Sequence, residues 1–219
     1  MFLFWPYMAK GINSDKIKKI FFIRNGFSLK VKLNNRPVSG QIFLPLFYIS
    51  IIMPKTNGLI FDATKIEHCT QRIAYQIYEA NFEQREIYLA GIVKNGELYA
   101  QKIKTYLEDI SSLKVHLVQL VVNKRAPLSP VECSHQLDDL KNQSVVVVDD
   151  VLNTGSTLMY AVKYLLEVPL AQLNTAVLVN RNHKKYPVKA DFKGISLSTN
   201  LNEHIEVVFS GNETGVYLS

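Results

Sequence analysis

Between Leu59 and Val179 the apolar positions follow two alternating rhythms. Short solid runs read as buried strands, and longer stretches with apolar residues three and four apart read as amphipathic helices. Leu59-Ile60-Phe61 is the first such strand, with Asp62 and Thr64 after it as helix-capping types. Ile66, Cys69, Ile73, Ala74 and Ile77 then predict a helix over Thr64 to Asn81. Ile87 to Ile92 predicts a buried strand, and Gly96 opens a second helix marked by Leu98, Tyr99, Ile103, Tyr106 and Leu107. Val115 to Val122 predicts another strand. Asn123 to Asn142, with Pro127, Pro130 and mixed charges, reads as an exposed excursion. Val145-Val146-Val147-Val148 is the strongest strand signal, since four β-branched residues in a row suit a strand covered on both faces. A helix over about Gly155 to Glu167 and a strand over Thr175 to Val179 complete the series. The alternation predicts an α/β fold with a mostly parallel central sheet flanked by helices. Such sheets bind ligands at the carboxyl ends of their strands.

Composition adds exclusions. With 47% hydrophobic residues in 219, the chain can bury a substantial core. Cys69 and Cys133 cannot build a disulfide scaffold, and no CxxC or HxxxH spacing marks a structural zinc site. The longest apolar run, Ile42 to Met53, is interrupted by Pro45 and Ser50 and is too short to cross a bilayer. The formal net charge of +6 is unevenly spread. Residues 1–52 hold eight basic side chains (Lys10, Lys16, Lys18, Lys19, Arg24, Lys30, Lys32, Arg36) and one acid, Asp15; residues 53–219 hold 17 basic and 18 acidic. The high isoelectric point therefore belongs to the front segment, and the remainder carries no wholesale nucleic-acid footprint. Residues 1–52 show no sustained helical or strand period. They can be a basic arm, a targeting segment, or an extension outside the fold of 53–219, with Met53 as an alternative start.

Candidate chemistry concentrates where the valine run ends, in Asp149-Asp150-Val151-Leu152-Asn153-Thr154-Gly155-Ser156-Thr157. A small, hydroxyl-rich turn that opens a helix offers unpaired N–H groups and the positive end of a helix dipole. Gly155 allows close backbone approach, and together these make a phosphate cradle. Asp149 and Asp150 are acceptor-only groups; they suit ribose hydroxyls or hydrated magnesium. A phosphate cradle beside two carboxylates implies a sugar phosphate. A Walker-type loop is excluded, because no GK[ST] follows. The blander alternative is that Asp150 or Thr154 merely caps the helix and Gly155 merely turns the chain.

Val145 to Leu158 resembles the phosphoribosyl-diphosphate (PRPP) signature of type I phosphoribosyltransferases. The resemblance runs from Leu59 to the C-terminus and is closest to the bifunctional pyrimidine-operon regulators that are also uracil phosphoribosyltransferases. It is carried by Ile60-Phe61-Asp62, Arg72-Ile73-Ala74, Gly91-Ile92 with Gly96, Ala176 to His183, and Pro187 to Gly194. It implies a Rossmann-like core with a small hood, and transfer of phosphoribose from PRPP to a nucleobase with Mg2+ carried by the bound PRPP. Asn153, Thr154, Gly155, Ser156 and Thr157 would hold the 5′-phosphate, and Asp149 and Asp150 the ribose hydroxyls. Val93, Lys94, Asn95 and Gly96 would sit at the pyrophosphate, and Asn180, Arg181 and Phe192 at the base. The excursion with Lys124 and Arg125 would be a lid. Phe192 can equally be core packing, and Lys124 and Arg125 solvated charge.

The departures are informative too. Purine-using members carry an acid at the position of Asn153 and a lysine at that of Asn180; an amide is no general base near neutral pH, so uracil or another pyrimidine is the expected base. The uracil group has a basic residue where Asn95 stands, and a longer lid. RNA-regulating members carry a threonine and a histidine where this chain has Gln71 and Tyr75; Arg72 matches. These two departures argue against RNA binding, and the second reading is a nucleotide-sensing, RNA-binding regulator of pyrimidine genes with weak or no catalysis. The resemblance also implies a homodimer; the lack of a credible targeting segment and the free cysteines point to the cytoplasm, with no membrane association expected.

Overall fold

The computed structural model describes residues 21–25, 28–33, 36–37, 58–124, 126, 128–198 and 203–219. The run Ile42 to Met53, the alternative start Met53 and the lid residue Arg125 lie outside the described residues. The chain divides into two units, Met1–Pro54 and Lys55–Ser219. In the first, β1 (Phe21–Asn25), β2 (Ser28–Leu33) and β3 (Arg36–Pro37) form an antiparallel meander. The sequence shows no sustained period there because the longest of these strands has only six residues.

The second unit carries the parallel sheet. β4 (Gly58–Asp62) leads directly into α1 (Ala63–Ala80), capped by the Asp62 carboxylate, which accepts from Lys65 N at 2.9 Å. Then follow β5 (Glu86–Ile92), α2 (Asn95–Ile110), β6 (Lys114–Val121), β7 (Glu132–Cys133), β8 (Ser144–Leu152), α3 (Ser156–Leu165), β9 (Gln172–Arg181) and β10 (Phe192–Leu197). The strand order is β10-β9-β8-β5-β6-β7; all neighbours are parallel except β7, which runs antiparallel to the end of β6.

The valine run is central in that sheet, as its composition predicts. Val146 and Val148 pack with Ile73, Ile77, Tyr99 and Ile103 of α1 and α2. Val145 and Val147 pack with Leu158, Ala161 and Leu165 of α3 on the other face. All four valines are fully buried, so each successive side chain removes apolar surface from water on an alternate face. The result is three layers with two cores.

A smaller antiparallel sheet, in the order β11-β12-β4, is made by β11 (Ile205–Val208), β12 (Gly215–Leu218) and β4. It forms a hood whose Ile205, Val207 and Val216 join the core under α1 and α2.

The excursion after β6 is not simply exposed. It holds β7 and a 3-10 turn over Leu137–Leu140, and Leu140 is completely buried in the α3-side core. Its proline and charge content hid one apolar anchor. Among the described residues, no helix is long and apolar enough to cross a membrane.

Candidate active site

A cavity of about 370 Å³ opens at the carboxyl ends of the parallel strands. Asp149, Asp150 and the whole turn Asn153 to Thr157 line it. β8 delivers the two aspartates from a buried strand, and the chain must reverse at once into α3.

Gly155 makes that reversal possible. Its φ is +83°, a region costly for residues with a Cβ. A Cβ there would also lie 2.5 Å from Val188 Cγ1. The segment carrying Val188 braces the turn: Lys185 N and Tyr186 N both donate to Thr154 O, at 2.9 and 3.2 Å. Gly155 supplies no side-chain cap to α3, and Thr154 Oγ1 accepts from Ser156 N only at 3.4 Å, so Ser156, Thr157 and Leu158 bring a weakly capped helix start to the cavity wall. Helix-start N–H groups and the helix dipole make that wall receptive to an anion.

The two aspartates differ in environment. Asp149 is only 5% exposed, and its Oδ1 accepts from Asp150 N at 3.0 Å. Burial, and then the neighbouring Asp150 charge, push its pKa up to about 8; Lys124 opposes this. Asp150 is half-buried. Its Oδ1 accepts from Val151 N at 2.8 Å and its Oδ2 from Asn95 Nδ2 at 2.7 Å.

Of the proposed pyrophosphate loop, Asn95 lines the cavity while Val93, Lys94 and Gly96 do not. Lys94 is exposed, at the start of α2, after a cis Val93–Lys94 peptide. Gly96 is buried against β8, where a Cβ would stand 2.6 Å from Val148 O. Lys124 reaches the cavity from the excursion.

At the base end the sequence expectations divide. Arg181, at the end of β9, is 4% exposed and lines the cavity. Asn180 is buried beside it; its Nδ2 donates to Ser196 Oγ at 3.3 Å, and its Oδ1 has no hydrogen-bond donor. Phe192 is not brought to the cavity. It pairs with Ala176 at the start of β10, level with Val148 rather than with the strand ends, and packs on the α1 side of the core. It lines a shallow hollow with Gln76, Glu79 and Ala80 instead. The packing alternative for this residue is the one the geometry favours. In register, the residue level with Val179 is Ile195, three positions later.

The sequence reading missed His204, Ile205, Glu206 and Val207, which close the cavity from the hood. The alternation of polar and apolar residues there signals a strand, but nothing local says that it returns over β8. The carboxylates suit hydrated magnesium, a hard cation that prefers oxygen ligands. Among the described residues, however, no group of three or more His, Cys, Asp or Glu could cage a metal alone. A magnesium ion here would need ligand oxygens besides those of Asp149 and Asp150.

The phosphoribosyl transferase domain family matches residues 58–213. The chain is similar to the bifunctional protein PyrR of Leuconostoc citreum, with 32% identity covering 70% of this chain and 91% of that protein. It is similar also to that of Roseiflexus sp., with 34% identity covering 67% and 84%. The hypoxanthine phosphoribosyltransferase of Trypanosoma cruzi superposes with a TM-score of 0.62 at 16% identity, covering 73% of this chain and 94% of that one. A hypoxanthine-guanine phosphoribosyltransferase of Bacillus anthracis does so with a TM-score of 0.60, covering 74% and 96%. The structural likeness extends to the fold alone, but the family match covers most of the chain, the anion-receptive turn included, so the chain belongs to the phosphoribosyltransferase family.

Proposed function

We propose that the protein transfers phosphoribose from PRPP to a pyrimidine base, uracil first among them, with release of pyrophosphate. The observation that carries this reading is the joint placement of Asp149, Asp150 and the Asn153–Thr157 turn on one cavity. The turn and the start of α3 would hold the 5′-phosphate, and the carboxylates would accept the ribose hydroxyls. Lys124 would supply positive charge near the departing pyrophosphate, on a lid that limits hydrolysis, and Arg181 would meet the base. Magnesium carried on the PRPP oxygens would neutralise the leaving group. The protein's own contribution is positioning and electrostatics, since bond breaking at the ribose C1 needs no covalent help from the chain.

Asn153 supports the choice of a pyrimidine. It is exposed on the cavity and offers an amide where proton exchange with a purine ring nitrogen would need an acid or base. We place this activity in residues 53–219, with 1–52 as an accessory extension.

Regulation by RNA binding is less well supported. Arg72, the matched residue on α1, donates to Lys193 O and Gly194 O, with its shortest contact at 2.6 Å. The guanidinium is thereby anchored to β10 carbonyls, although its side chain stays exposed.

Incubation with PRPP, Mg2+ and a panel of nucleobases tests the proposal. Pyrophosphate and UMP should accumulate with uracil, and turnover with hypoxanthine or guanine should be lower by about a hundredfold or more. Protein that binds PRPP yet consumes no pyrimidine would reject the assignment.

A further inference from the structure

We propose that Asn95 is a positioning residue, which presents Asp150 to the ribose diol and ties that carboxylate to the hood, rather than a ligand of the leaving group. The inference rests on the phosphoribosyltransferase reading above. One amide links three elements: Asn95, the first residue of α2, donates through Nδ2 to Asp150 Oδ2 at the end of β8 (2.7 Å) and to Val207 O on β11 (3.0 Å). Both partners are acceptors, so only the NH2 end of the amide can face them, and its two hydrogens are fully used.

The acceptor capacity of Asp150 is then only partly used. An ionised carboxylate offers about four lone-pair sites, two on each oxygen. Val151 N takes one on Oδ1 and Asn95 takes one on Oδ2. The Asp149 carboxyl also hydrogen-bonds this carboxylate while it keeps its proton, and its ionisation as the sugar binds frees that site for a ribose hydroxyl. Two fixed donors also stop the carboxylate from rotating, so little reorientation is needed when the sugar arrives.

Asn95 cannot easily leave this position. The next residue, Gly96, is wedged against Val148 O and Asp149 Cα, with no room for a Cβ. The same amide fixes Val207, which lines the cavity from the hood. The wall above the ribose is therefore held through the residue that orients the diol acceptor. A lysine or arginine at position 95 would put a full positive charge on Asp150; the neutral amide orients the carboxylate and leaves its charge for the ligand.

Calorimetric titration of the full-length protein with ribose 5-phosphate, 2-deoxyribose 5-phosphate and inorganic pyrophosphate tests this. Asn95→Ala should weaken ribose 5-phosphate about tenfold and pyrophosphate less than about twofold. The deoxy sugar, with one hydroxyl fewer for Asp150, should lose less than ribose 5-phosphate. Asn95→Asp keeps the shape but faces Asp150 with a like charge, and should weaken ribose 5-phosphate further, by about a hundredfold. A loss confined to pyrophosphate overturns the proposal, as do equal losses for all three ligands or unchanged ribose 5-phosphate binding in both variants. Wild-type protein that binds none of the three ligands overturns the phosphoribosyltransferase reading itself, and this proposal with it, a result that no Asn95 variant can produce.

Discussion

Asp149→Asn should make the protein more stable at pH 8 and nearly inactive. Burial and Asp150 raise the Asp149 pKa from the ordinary 3.8 to about 8. Below pH 3.8 the folded and unfolded chains both hold this proton. Between 3.8 and 8 the unfolded chain releases it and the folded chain keeps it, so folding is penalised progressively as pH rises. Above 8 the folded group is ionised too, and the penalty stops growing. One pKa unit corresponds to about 1.4 kcal/mol, so the penalty in the empty protein reaches several kcal/mol. An asparagine carries no such penalty. Melting temperatures of wild type and variant should therefore diverge as pH rises from about 5 to about 8, with the variant higher. Comparing the two proteins cancels the other carboxylates that titrate in the same range.

Activity should move in the opposite sense. Cationic magnesium and the ribose hydroxyls favour the ionised carboxylate, so PRPP binding should release a proton below about pH 8. Wild-type affinity for PRPP should rise as pH approaches that value and then level, while the Asp149→Asn variant should show no such rise. Its kcat/KM should fall by about a hundredfold or more, the usual scale for removing a preorganised polar group from a water-poor site. Parallel melting profiles for the two proteins would remove the argument about burial. An active variant would remove Asp149 from the site. The combination expected, stability gained with function lost, is a trade-off common to groups held in unfavourable surroundings for chemistry.

Gly155→Ala is the second large effect. A methyl group at this position meets two obstacles. The backbone is left-handed, which costs an alanine about 1 kcal/mol or more, and Val188 Cγ1 occupies the space at 2.5 Å. Relief requires either the turn or the Val188 segment to move. Both are linked through Thr154 O, which accepts from Lys185 and Tyr186. The N–H groups proposed to hold the 5′-phosphate would shift together. KM for PRPP should rise by about tenfold to a hundredfold, with a melting temperature lower by several degrees. Pairing the change with Val188→Ala should recover most of the stability, because the clash is gone, and little of the PRPP affinity, because the left-handed strain on the turn persists. Full recovery of both by the double variant would mean that the backbone conformation of the turn is unimportant.

Several features of this protein are legible in its sequence alone. The four valines predicted a strand buried on both faces, and they sit between α1 and α2 on one side and α3 on the other. The spacing of Ile66, Ile73 and Ile77 predicted α1, and Asp62 caps it as its residue type suggests. The acidic pair and the small hydroxyl-rich turn were contiguous in sequence, so one strand-turn-helix unit fixes their relation, and they line one cavity together. Leu140 was not legible. A single apolar residue among charges has no period, and only its fit between packed elements buries it. The level of Phe192 along β10 is not legible either, because a place in a motif does not state a register; pairing with Ala176 sets it below the strand ends.

Local sequence thus determined what the backbone does over one strand, one turn and one helix, since side-chain period, capping and glycine conformation act over a few residues. Tertiary structure alone decided what meets across the site. Ile205 to Val207 arrive on a strand more than fifty residues after the acidic pair, and Asn95 lies as far before it, yet one amide joins Asp150 to Val207. No repeat or spacing encodes that encounter; it follows from the order in which the strands pair and from the hood folding back to bury Ile205 and Val207.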